Sequence, residues 1–173
     1  DLEAAAATLV ATIGGVGATA GITLATERTA RAAGKMADRV IAARRAQSEA
    51  SALDQMGDAV AGSKLKARDS VAFADLVREM ADDADADNVY IPAEAVQTYM
   101  QSDAYDGDFD RWRSEIDDAV VTGGDWVLPV ETAVSELAGT PAWDALKEDM
   151  RLSAGGMSRR EAQTFDEAMA DVM

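Results

Sequence analysis

The chain has 173 residues, with 16 Lys/Arg against 32 Asp/Glu, a net charge of −16, and neither Cys nor His. This length holds one core and is too short for two ordinary domains. Lack of Cys excludes disulfides, zinc fingers and thiol nucleophiles, and lack of His removes the commonest general base and transition-metal ligand.

Charge is unevenly distributed. Residues 1–68 carry nine basic and seven acidic side chains, a balance of +2, whereas residues 69–173 carry seven and 25, a balance of −18. An acidic part of that kind repels nucleic acid, because phosphate contacts need clustered Lys or Arg. A soluble, charged surface is the simplest consequence.

The chain opens at Asp1 without a basic leader and cleavage site, and reads as a fragment or processed piece of a longer protein. Ala4 to Thr26 is uncharged and carries Gly17-x-x-x-Gly21, a spacing that lets helix backbones approach closely. Three readings apply: a small-residue helix packed in an assembly, a membrane span, and a Gly-rich loop. The order of this stretch is expected to depend on neighbours, because Gly14, Gly15, Gly17 and Gly21 lower intrinsic helicity. From Glu27 to Ala61 the pattern is helical, with Arg28, Arg31, Lys35 and Arg39 at three- and four-residue steps and an intermittent apolar stripe of Val40, Ile41, Leu53 and Met56. The basic stripe suits phosphate or an acidic partner, or is a solvated helix face.

A second helix runs through "SVAFADLVREMADD", its apolar face drawn from Val71, Phe73, Leu76, Val77 and Met80. Two similar segments follow, Asn88–Met100 and Asp125–Leu137. In register, Pro92 aligns with Pro129 and Glu94 with Glu131, so each reads as a short strand, a proline in the first helical turn and an amphipathic helix. The intervening helix carries Phe109, Trp112, Ile116, Ala119 and Val120 and stops at Gly123 and Gly124. Further on, Thr140 and Pro141 start a helix bearing Trp143, Leu146 and Met150, and Ser158 with Glu161 forms a capping box for the last one.

The candidate site motifs are each incomplete. Asp83, Asp85, Asp87 and Glu94 have EF-hand ligand spacing, but Asn88 replaces the turn glycine, and Glu131 recurs in the second unit without any aspartate ladder. A linker is the better reading, and "DGDFD" at Asp106 to Asp110 is weaker still. "GATAGIT" from Gly17 resembles the glycine-rich turn of short-chain dehydrogenases, with Arg44 placed for a ribose phosphate. Thr23 occupies the last glycine position, however, and Tyr90, Tyr99 and Tyr105 lack a Lys four residues on. With 32 acids, carboxylate pairs carry no hydrolase signal. No Gly-x-Ser-x-Gly or Walker pattern is present.

From about Ser63 to Glu161 the succession "SKLKARDSVAFADLVREMAD", "NVYIPAEAV", "TGGDWVLPVETAVSELAGTP" and "ALKEDMRLSAGGMSRREA" resembles a module of very large multi-domain virion proteins of tailed bacteriophages. Some of these are packed inside the capsid and delivered with the DNA. The resemblance implies a structural, non-enzymatic role in an internal virion or DNA-ejection protein, with no catalytic, cofactor-binding or metal residues to carry over. Its implied partners are other copies and other virion proteins, its location the phage particle with delivery to the host cell envelope, and transient membrane contact would run through residues 4–26. The alternative function is a membrane-anchored helical adaptor for a basic partner. The expected fold is mainly α: a helical arm over 1–62, then an acidic helical domain over 63–173 in which Val89–Ile91 and Trp126–Leu128 pair as a two-stranded parallel element.

Overall fold

A computed structural model describes the backbone of residues 22–64, 68–83 and 85–171. The uncharged stretch up to Gly21, with Gly17, lies outside the described residues. The described chain is mainly helical. In order it forms α1 (Ile22–Ala61), α2 (Ser70–Asp83), β1 (Asn88–Pro92), α3 (Ala93–Met100), a 3-10 turn (Asp110–Trp112), α4 (Arg113–Thr122), β2 (Asp125–Pro129), α5 (Val130–Leu137), α6 (Pro141–Leu146) and α7 (Arg159–Ala170).

The chain divides into two units, residues 1–39 and 40–173. In the first, every α1 position from Ala30 to Arg39 is exposed. In the second, the same helix is one-sided: Ala43, Ala46, Ala50, Leu53, Met56 and Val60 are buried at three- and four-residue steps. No described helix is long and apolar enough to cross a membrane.

β1 and β2 pair antiparallel, which corrects the expected parallel element; Val89 faces Leu128 and Ile91 faces Trp126. The reason lies in the connection. A single crossover helix would return the chain to the start of β1. Here α3 leaves from Pro92 and α4 packs beside it on the way back, so β2 enters where β1 ended and Asp125 lies opposite Pro92. Bonds from Ala93 N–H to the Gly124 carbonyl (3.1 Å) and from Val130 N–H to the Asp87 carbonyl (3.0 Å) extend the ladder at both ends. On its other edge, β1 forms a one-residue bridge through Tyr90 to Arg151, with bonds of 2.8 and 3.0 Å.

The two proline-centred segments adopt one conformation. Pro92 (φ −53°, ψ 124°) and Pro129 (φ −53°, ψ 140°) each close a five-residue strand and cap an eight-residue helix with Glu94 or Glu131 in its first turn. Each proline thus sits one position earlier than the first helical turn, because its ψ remains extended while the strand is still paired. The inner sheet face, with α3 and α5, supplies Val89, Ile91, Val96, Trp126, Leu128, Val130, Val134 and Leu137 to a continuous core. Phe73 and Val77 of α2 join that core, but Val71 is 70% exposed and Leu76 37% exposed. Phe73, Val77 and Ala81 follow i, i+4, i+8 on one face, and Val71 and Leu76 fall off it.

Local stop and start signals act where the sequence places them. Gly123 takes φ +63°, and bonds from Gly123 to Val120 and from Gly124 to Ala119 close α4. Thr140 caps α6 with Pro141 at its first turn, and Ser158 and Glu161 complete a capping box on α7. After Leu146 the helical pattern gives way, since Arg151 must extend to bridge Tyr90.

Candidate functional site

The acidic run after α2 is a helix terminus. Asp83 is the last residue of α2, and Asp85 adopts φ +50°. Asp85 N–H bonds to the Asp82 carbonyl and Ala86 N–H to the Ala81 carbonyl, both at 3.0 Å, which is the Schellman pairing with Asp in the left-handed position. Ala81 and Ala86 are both buried, the apolar contact that accompanies this motif. Asp83 therefore belongs to the helix, Asp87 passes its carbonyl to Val130, and Glu94 stands in the next helix. Among the described residues no three acidic side chains are placed to hold a metal. Arg44 lies in α1 and Tyr90 in β1, while Tyr99 and Tyr105 lie in an aromatic cluster.

Among the described residues, that cluster is one of three places where chemistry-bearing side chains gather. Phe109 is fully buried at 5.1 Å from Trp126 and 5.5 Å from Tyr99, and Trp112 stands 5.2 Å from Trp126. Arg111 covers the outer face of Trp112 at 3.8 Å and pairs with Glu136 at 2.8 Å. Asp108 is tucked under this group. Burial, and then the neighbouring Asp106, raise its carboxyl above the ordinary aspartate range; one of its oxygens and the Trp126 indole N–H are buried without a partner. Burial and then Asp108 raise the Tyr99 phenol as well. At the rim, Arg113 and then Tyr105 hydrogen-bond Asp110 and lower its carboxyl.

The second place is a polar clasp between α1 and the segment leading into α7. Glu49 accepts from Leu152 N–H (3.0 Å), from the Ser153 hydroxyl (2.9 Å) and from Arg45 (2.8 Å). Arg159 bridges Asp54 of α1 to Glu148, the latter at 3.1 Å. Arg160 grips Asp149 through two bonds of 2.7 and 3.0 Å. Arg151 joins Asp125 of β2 to the Gly156 carbonyl, the latter at 3.2 Å. These charged side chains hold chain segments to one another; Glu49 alone among them meets a hydroxyl, that of Ser153, and it is held at the same time by Leu152 N–H and Arg45.

The third is an open groove of about 470 Å³. Its floor is Gly57 of α1 against the Trp143 indole of α6; a methyl group on Gly57 would stand 2.8–2.9 Å from ring atoms. Asp54, Asp58, Asp144, Lys147 and Arg159 line it. Asp54 is held by Arg159, and Asp144 lies 3.5 Å from Lys147, so most of the rim charge is already paired. The groove and the clasp join residues far apart in the sequence, and no local motif marks them.

The chain matches no protein-family model, no curated protein and no solved structure, so the roles of its residues come from its own geometry.

Proposed function

We propose that this chain is a structural component of a bacteriophage internal virion or DNA-ejection protein, a part of a larger polypeptide that works by assembly with other virion proteins and copies of itself. The observation that carries the assembly half is α1. Ten consecutive positions, Ala30 to Arg39, are exposed. A helical segment that buries no face gains nothing from packing within its own chain, and neighbours in an assembly would supply that packing. The clasp supports a non-enzymatic role, because the convergent carboxylates and guanidinium groups join elements of the fold. The virion half rests on the sequence resemblance over about 63–161.

Mass spectrometry of purified phage particles tests this reading. Peptides of the chain, in fixed stoichiometry to capsid proteins and within a longer polypeptide, support it. Recovery in a membrane fraction with no particle supports the adaptor reading instead.

A further inference from the structure

We infer that α1 of one copy docks, through the basic face around Lys35, onto the acidic face of α2 in a second copy. This deepens the proposed function and rests on its self-association. On α1, Arg31, Lys35 and Arg39 are exposed at four-residue steps. At ~100° per residue they fall within about 80° of arc and run about 12 Å along the axis. Exposed Asp38 falls about 20° outside this face on one side and Met36 about 60° outside on the other.

On α2, Asp75, Glu79, Asp82 and Asp83 are exposed. They fall within about 100° of arc and also run about 12 Å. Asp75 is already engaged by Arg78 at 3.0 Å, which leaves Glu79, Asp82 and Asp83 to set the charge of the face. Exposed Leu76 borders it, and exposed Val71 marks its beginning. The two charged stripes thus have matching length and opposite sign, with apolar side chains bordering the acidic one.

The occupant follows from charge. Residues 69–173 carry −18, so a second acidic domain repels them and a basic helix is drawn in; the chain's own basic stripe lies in residues 28–45. Arg31 and Arg39 already make interactions within the chain. Lys35 therefore carries the contact, and Arg31 and Arg39 add to the positive potential of the face. Because the two faces differ, the contact is heterologous and builds rings or open rows of copies.

The test is sedimentation equilibrium of the full chain over micromolar to millimolar concentration, in about 0.05 M and about 0.5 M NaCl, since the higher salt screens exposed charges severalfold more strongly. Wild type is expected to associate at low salt and to dissociate at high salt. Lys35→Glu and Glu79→Lys are each expected to weaken association about tenfold, and the double variant to restore it. Both side chains are exposed, and circular dichroism verifies that each variant is folded. Wild-type association that both single variants retain overturns this contact and leaves the self-association reading standing. A wild-type chain that stays monomeric throughout overturns both.

Discussion

Gly57→Ala sets two opposed effects against each other at one atom. In an exposed helix interior the change would stabilise by about 1 kcal/mol, since Gly gives up more backbone freedom than Ala on folding. At this position the new methyl carbon would lie 2.8 Å from Cζ2 and 2.9 Å from Cε2 and Nε1 of Trp143. Carbon contacts are comfortable at ~3.5–4.0 Å, so the indole must retreat by roughly 0.8 Å. Trp143 is 6% exposed and belongs to the main core. Overpacking of that kind costs about 1–3 kcal/mol and exceeds the propensity gain, for a net loss of about 1 kcal/mol. Urea unfolding followed by tryptophan fluorescence and far-UV circular dichroism reads this as a midpoint roughly half a molar lower, for a slope of ~2 kcal/mol/M. In a Trp143→Leu background the clash is gone, and the same substitution is expected to be neutral or stabilising. A Gly57→Ala protein as stable as wild type would refute the claim that the α1–α6 approach requires glycine.

Glu49→Ala leaves the Leu152 N–H and the Ser153 hydroxyl without their acceptor, and is expected to lower stability by about 1–3 kcal/mol in urea unfolding. Glu49→Gln keeps an acceptor oxygen and should lose clearly less; equal losses would remove the clasp from the account. Asp108 has its folded-state carboxyl raised by burial and then by Asp106. The native state thus binds the proton more tightly than the unfolded one, and this residue's contribution to stability falls as pH rises from the ordinary aspartate range through the raised value. Asp108→Asn is expected to stabilise at pH 7 and to flatten that stretch of the stability–pH curve; a less stable variant at pH 7 contradicts the assignment. Millimolar calcium should leave the melting temperature unchanged, because Asp83 is helical and Asp85 is the left-handed terminus of α2. A rise of several degrees would restore the metal reading.

Much of the local structure was legible from short windows. Ser158 with Glu161, Thr140 with Pro141, and Gly123 act through backbone groups within four residues, so sequence spacing suffices to locate them. The strand positions around Val89–Ile91 and Trp126–Leu128 were equally visible in the aligned prolines. The candidate site was not. Gly57 looks like a loosened helix end in sequence, and only the arrival of Trp143 from a distant helix shows why it has no side chain. Glu49, Asp54 and Arg159 resemble any charged residues on helical faces until the turn before α7 brings their partners to them.

The amino-acid sequence by itself determined what chemistry is excluded by the absence of Cys and His, where charge accumulates, where the helix caps at Gly123, Thr140 and Ser158 fall, and which two short runs are extended. These depend on composition and on hydrogen bonds that close within a turn. The tertiary structure alone decided that β1 and β2 run antiparallel, because α3 and α4 return the chain to the end of β1 that it had left. It also decided that an alanine-rich face of α1 at Ala43, Ala46 and Ala50 is buried while Val71 and Leu76 remain exposed. Burial depends on which surface arrives from elsewhere in the chain, and a small side chain opposite a close neighbour is covered where a larger one facing solvent is not.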